Sequence, residues 1–170
     1  VRIPKGILLY GEPGVGKTLF VKALVNETGT LMHEISKQDV FSKDIVETIK
    51  NIFAKAREVT PSIVFIDEID RLAIDSNYSS SSDFNDRVLN QILIEMDGYN
   101  PLEGVIVIAT ANNMHNLGPA LLRSGRFDRK MFFQKPDLQD RKKIISYYLE
   151  NKKLGIQVTV DEIARMTHNM

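Results

Sequence analysis

Cysteine is absent from the 170 residues of this chain, which excludes a disulfide framework and a thiolate metal site and fits a reducing compartment. Also missing is any apolar run near the roughly 18 residues that a membrane-spanning helix needs. No secretory signal pattern is present, so any membrane tether is expected from segments outside these residues, with the chain on the cytoplasmic side or in another reducing compartment. Neither sign of charge is in excess, because 22 Lys and Arg face 22 Asp and Glu. A formal net charge of zero gives no support to a nucleic-acid surface. Histidine is scarce. His33-Glu34-Ile35-Ser36-Lys37 begins like a zinc-binding helix, but Lys37 stands where the second histidine is needed, and His115 and His168 have no partners at ligand spacing. The histidines therefore support no metal site. What is left is 43% apolar and 26% charged residues, the balance of an ordinary globular domain, in a chain long enough to bury a full core.

Against that background one stretch has a specific pattern. Gly11-Glu12-Pro13-Gly14-Val15-Gly16-Lys17-Thr18 fits the phosphate-binding signature G-x-x-x-x-G-K-[ST] at every fixed position. The apolar run Gly6-Ile7-Leu8-Leu9-Tyr10 before it reads as a buried strand. Leu19 to Thr28 after it reads as a helix, with Phe20, Ala23 and Leu24 on one face and Gly29 as its stop. Glycines let backbone N–H groups curl around phosphate oxygens, and the helix N-terminus adds a favourable dipole. Residues 11–18, with Leu19 at the head of the helix, are thus the expected nucleotide-binding stretch. Lys17 is placed to reach the β- and γ-phosphates, and the Thr18 hydroxyl to ligate Mg²⁺.

Further along, Leu31–Ile35 reads as a second strand. Asp44 is a candidate N-cap with Glu47 reaching back to it, followed by Ile45, Ile49, Ile52, Phe53 and Ala56 at helical spacing. Ser62–Ile66 is apolar throughout, as in a strand buried on both faces. The serine-rich segment from Asp75 to Asp86 reads as a surface loop. Val88, Leu89, Ile92, Leu93 and Met96 then form an amphipathic helix ended by Gly98. Gly104–Ala109 is the fourth strand and Lys130–Phe133 the fifth. Asp137 opens a helix whose expected buried face is Ile144, Ile145, Tyr148 and Leu149. Strands alternating with helices predict an α/β fold, a parallel sheet covered on both sides.

The third strand runs directly into Asp67-Glu68. Two carboxylates at the end of a buried strand are costly unless a function needs them. A Mg²⁺ bridging two phosphates supplies one: Asp67 would hold the metal through a water, and Glu68 would polarise the attacking water. The alternative is a solvated turn in which Glu68 and Asp70 are surface acids.

With these motifs in view, the chain resembles the AAA ATPases from about Ile3 to Asp140, and within them the membrane-bound AAA metalloprotease (FtsH-type) branch. The resemblance rests on Ile3-Pro4-Lys5-Gly6, Phe65-Ile66-Asp67-Glu68-Ile69-Asp70, Leu89-Asn90-Gln91, Glu95-Met96-Asp97-Gly98 and the run from Pro119 to Arg129. It implies a three-layer αβα P-loop nucleoside triphosphate hydrolase with five parallel strands in the order 5-1-4-3-2. Residues 1–152 would form the large subdomain, and 153–170 a connector and the start of a truncated helical lid. ATP or ADP with Mg²⁺ would be the cofactor set. Asn112 would be the polar sensor of the γ-phosphate. Arg123 and Arg126 would reach a neighbour's active site in a homo-oligomeric ring, a hexamer. Asp97-Gly98-Tyr99 matches an inter-subunit signalling element, and protein or peptide substrates would be unfolded and threaded.

The chain departs from the family pattern in three places. Around the sensor it reads Ala109-Thr110-Ala111-Asn112-Asn113-Met114, where the family has Ala-Thr-Asn-Arg-Pro. His115-Asn116-Leu117-Gly118-Pro119 lacks the two acids usual there. At the expected pore loop stands Phe41-Ser42-Lys43, without glycine, and Phe41 is either a pore residue or a staple on the following helix. Two rivals follow. One is a remodelling ATPase with no linked protease, and the other a slow or non-hydrolysing nucleotide-gated assembly module.

Overall fold

The computed structural model describes residues 4–36, 44–74, 82–98, 102–150 and 159–167. The expectations that fall on Lys37, Phe41-Ser42-Lys43, Tyr99 and His168, on residues 75–81 of the serine-rich segment and on the 152/153 boundary lie outside them. The described residues divide into two compact units, 1–133 and 134–170.

Unit 1 is built on five parallel strands: β1 (Gly6–Tyr10), β2 (Leu31–Ile35), β3 (Ser62–Ile66), β4 (Val105–Ala111) and β5 (Arg129–Phe132). Their order across the sheet is β2-β3-β4-β1-β5, the order implied by the family resemblance. Burial explains the composition of the central strands. All five residues of β3 are buried, and six of the seven in β4, because helices cover both faces. On one face Leu8, Val64, Ile66, Val107 and Ala109 meet α2 (Ile45–Glu58) and α4 (Ser82–Asp97) through Ile49, Phe53, Val88, Ile92 and Met96. On the other, Leu9, Ile63, Phe65 and Ile108 pack with Val21 of α1 (Lys17–Thr28). The edge strand β5 is exposed at all four positions, Met131 and Phe132 included.

Several local expectations need correction. α1 starts two residues earlier than read and buries Lys17 and Val21, while Phe20 and Ala23 are exposed. The orientation follows from Lys17: once its side chain is turned into the fold, Val21, Leu24 and Val25 share its face at helical spacing. Phe20 instead meets the ring of Phe133 edge-on, with centroids 5.4 Å apart. Asp44 stands at the N-cap of α2, but its side chain makes no capping bond. Helix α4 begins at Ser82, so the last five residues of the expected loop are helical. A one-turn helix, α3 (Ile69–Ile74), follows the acidic pair. β4 extends to Ala111 and β5 spans Arg129–Phe132, shifts of two residues and of one.

Unit 2 contains α5 (Leu138–Leu149) and α6 (Val160–Met166). Asp137 caps α5 as expected, accepting the Asp140 N–H at 2.8 Å. Thr159 and Glu162 form a reciprocal capping box on α6. The two helices are joined by Arg141 Nε donating to Ala164 O at 3.1 Å and by the Lys142–Asp161 ion pair at 2.9 Å. The expected buried face of α5 is not buried: Ile144 and Tyr148 are exposed, as is Tyr147. Two short helices offer too little apolar surface to cover it.

Candidate nucleotide site

Strand register gathers the site at the C-terminal ends of β1, β3 and β4. Tyr10 lies opposite Ala111, and Ile66 opposite Ala109. One step past Ile66, Asp67 therefore comes level with Thr110. One step past Tyr10, the Gly11 N–H donates to Ala111 O at 3.2 Å.

The loop between β1 and α1 is glycine-rich for two separate reasons. At Gly11 a side chain would collide with the Phe133 carbonyl. Gly16, the N-cap of α1, has φ 95°, while a Cβ there would meet nothing within 4 Å. There the requirement is conformational, and the space beside the backbone stays open to a ligand.

Lys17 is 7% exposed. Its ammonium donates to Gly11 O at 2.7 Å, Glu12 O at 2.8 Å and Asn112 Oδ1 at 3.0 Å. Burial pushes its pKa below the ordinary lysine value of 10.5, and the negative charges of Asp70, Asp67 and Glu68 offset part of that effect. Asp67 Oδ1 accepts two hydroxyls, Thr18 Oγ1 at 3.0 Å and Thr110 Oγ1 at 2.6 Å. Thr110 Oγ1 in turn accepts the Glu68 N–H at 2.8 Å. Glu68 has φ 53°, left-handed backbone that a non-glycine residue adopts at a local cost. Arg71 Nε stands 3.1 Å from Glu68 Oε2.

These groups surround a cleft of about 250 Å³ lined by Pro13, Gly14, Gly16, Lys17, Thr18, Leu19, Asp67, Glu68, Thr110 and Asn112. Gly11 and Glu12 join it through the carbonyls that hold Lys17, and Val15 is half-buried within the loop. Arg123 and Arg126 do not line the cleft. Arg123 is exposed, whereas Arg126 donates to Asp97 Oδ2 through Nε at 2.7 Å and Nη2 at 2.6 Å, and to Ala120 O through Nη1 at 2.6 Å. Asp128 accepts the Gly125 N–H at 3.4 Å.

Two residues of the site were not visible as such in the sequence. Thr110 reads only as part of the run around the sensor, past the end of the expected strand, and the β3–β4 register gives it two partners. Asp70 reads as a surface acid of a solvated turn. In the structure it is 3% exposed and accepts the N–H groups of Asn112 and Asn113 at 3.1 and 3.0 Å. The signal for it in the sequence was its place at the end of the motif Phe65-Ile66-Asp67-Glu68-Ile69-Asp70.

Comparison with known sequences bears on what this cleft is. The model of the family described as "ATPase family associated with various cellular activities (AAA)" matches residues 7–135. The chain belongs to the AAA ATPase family. Over 172 residues it is 44% identical to the ATP-dependent zinc metalloprotease FtsH 2 of Thermoanaerobacter sp., with 99% of this chain and 34% of that protein covered. Over 173 residues it is 43% identical to the ATP-dependent zinc metalloprotease FtsH of Leptotrichia buccalis, covering 98% of this chain and 22% of that protein. Protein SAV of Sulfolobus acidocaldarius is 42% identical over 164 residues, with 95% and 21% covered. The AAA chain thus spans about a third or less of the length of these relatives. It is an AAA ATPase domain of the FtsH type. Among the described residues of this AAA domain, no helix is long and apolar enough to cross a membrane.

Proposed function

We propose that this AAA domain hydrolyses ATP by in-line attack of water on the γ-phosphate, and that the cleft at the strand ends is where it does so. The observation that carries the reading is the convergence of Lys17, Thr18, Asp67, Glu68 and Asn112 on one cleft from three strands. Lys17 binds the β- and γ-phosphates, exchanging carbonyl and amide oxygens for phosphate oxygens. The backbone from Gly11 to Leu19 wraps the phosphates at the start of α1. Glu68 accepts a proton from the attacking water, and Asn112 orients the γ-phosphate and that water. The Thr18 hydroxyl and the Asp67 carboxylate, 3.0 Å apart, are hard oxygen donors of the kind that suit Mg²⁺, with Asp67 acting through a water. When bound, Mg²⁺ neutralises charge on the β- and γ-phosphate oxygens.

In the whole protein, Arg123 and Arg126 complete the site of a neighbour in a homo-oligomeric ring, a hexamer. The work delivered is unfolding and translocation of protein substrates, as the motor of an FtsH-type metalloprotease. The relatives named for ATP-dependent proteolysis support this, and so does the position of both arginines away from their own cleft. A second reading is a remodelling ATPase without linked proteolysis, because the likeness to the metalloproteases covers 34% or less of their length. Cleavage of an unfolded protein by the full-length chain with ATP separates the two.

The hydrolytic assignment is tested in the full-length, assembled protein. Glu68→Gln is expected to bind ATP with near-normal affinity and lose most phosphate release, and Lys17→Ala to lose binding itself. Hydrolysis by Glu68→Gln at the wild-type rate would remove Glu68 from the role of base.

A further inference from the structure

Asp70 is a buried carboxylate that the hydrolytic scheme leaves unused. It is 3% exposed on the first turn of α3. Its Oδ2 accepts two consecutive main-chain N–H groups, Asn112 at 3.1 Å and Asn113 at 3.0 Å. Its Oδ1 is buried and has no hydrogen-bond partner among the described residues. Burying a carboxylate to fix one turn of chain is costly when a neutral acceptor could do it. The turn it fixes is the one that carries the sensor. Asn112 is held by its main chain to Asp70 and by its side-chain oxygen to Lys17 Nζ at 3.0 Å. Asp70 also lies two residues after Glu68, on the same turn as Arg71, whose Nε stands 3.1 Å from Glu68 Oε2. A single turn of chain thus ties the proposed base to the proposed sensor.

We propose that Asp70 is a positioning residue for hydrolysis: its paired hydrogen bonds to the Asn112 and Asn113 amides aim the Asn112 side chain into the nucleotide cleft. The proposal rests on the hydrolytic reading of that cleft given above. Because Asp70 does not line the cleft, it acts on the turnover step through Asn112 and leaves nucleotide binding alone.

The test is a double-mutant cycle in the full-length, assembled protein, using Asp70→Ala, Asn112→Ala and the pair, with Asp70→Asn, which keeps an acceptor oxygen of the same reach, as the conservative variant. Phosphate release gives kcat and KM, a fluorescent ADP analogue gives affinity, and a thermal melt reports folding. Asp70→Ala should lower kcat about 10-fold or more while analogue affinity stays within about 3-fold, a loss confined to turnover. Asp70→Asn should recover most of that kcat. In the Asn112→Ala background, Asp70→Ala should cost less than about 3-fold more, because the two act as one unit. Losses that multiply, an unchanged kcat for Asp70→Ala, or a lost affinity in place of a lost kcat would each overturn the proposal. Should Asp70→Ala fail to fold, Asp70→Ser, whose shorter side chain does not reach both N–H groups, replaces it in the cycle. If neither folds, Asp70 is a structural residue and the proposal is wrong. Glu68→Gln serves as the control for the underlying reading. If it retains turnover, the assignment of the base fails, whereas an inactive Glu68→Gln beside a normal Asp70→Ala sinks only the role of Asp70.

Discussion

Lys17 is a cation in a place that does not favour one, and that makes it a pH-sensitive element of the site. Burial lowers its pKa below 10.5, with Asp70, Asp67 and Glu68 opposing the shift. In the interval between the lowered folded value and 10.5 the unfolded chain binds more protons than the folded one at this group. The Lys17 contribution to stability therefore rises with pH across that interval. ATP affinity moves the other way, because phosphate binding uses the ammonium form and weakens as pH passes the lowered value. Two titrations check this: melts of wild type against Lys17→Met, and ATP affinity of the wild type. Affinity that stays flat up to pH 10.5 would show that Lys17 is not depressed. At this scale the sequence spoke clearly wherever the chemistry is contiguous. Residues 11–18 and the Asp67-Glu68 pair are read from spacing alone. Thr110 and Asp70 were not, since each takes its role from a partner about 42 residues away in sequence, Thr110 at Glu68 and Asp70 at Asn112.

Elements are legible in proportion to how strongly burial acts on them. β3 and β4, covered on both faces, had to be apolar and were read within two residues. Helix α2 was readable because Ile45, Ile49, Phe53 and Ala56 all turn to the sheet. Failures fall where something other than burial decides. A loop-like serine composition hid the start of α4, and the orientation of α1 is set by Lys17. One glycine inside an element also has a role that no pattern shows. A Cβ on Gly6 of β1 would come 2.6 Å from Arg126 O and 2.8 Å from Met96 Cε. Met96 can give way, but the Arg126 backbone sets the position of the guanidinium that pairs with Asp97. Gly6→Ala should destabilise by about 1–3 kcal/mol, the usual cost of overpacking, read by denaturant unfolding. It should also lower turnover in an assembled ring, through displacement of Arg126. A stable variant with full turnover would mean that this close approach is slack.

At the scale of the whole molecule the open question is assembly. If Arg126 completes a neighbour's site, Arg126→Ala should leave ATP binding almost unchanged while turnover in an assembled ring falls about 10²-fold or more. Mixing Arg126→Ala with Glu68→Gln subunits should then restore part of the activity. Some interfaces would pair an intact Glu68 of one subunit with an intact Arg126 of the next. Full activity of Arg126→Ala alone would reduce Arg126 to its ion pair with Asp97, worth little at a surface.

The strand order sets a timetable for biosynthesis. Of the five strands of this sheet β1 is the first to leave the ribosome, yet its two neighbours, β4 and β5, begin at Val105 and Arg129. At about 5–20 residues per second, a nascent β1 waits on the order of 5–20 s for its first partner. The loop it carries, made early, is among the last parts to reach its working shape. ATP therefore cannot assist the early stages of folding, and chains stalled before Ala111 should not retain nucleotide while those stalled well beyond Phe132 should. For that interval the apolar Ile7-Leu8-Leu9 segment is a natural target for a chaperone.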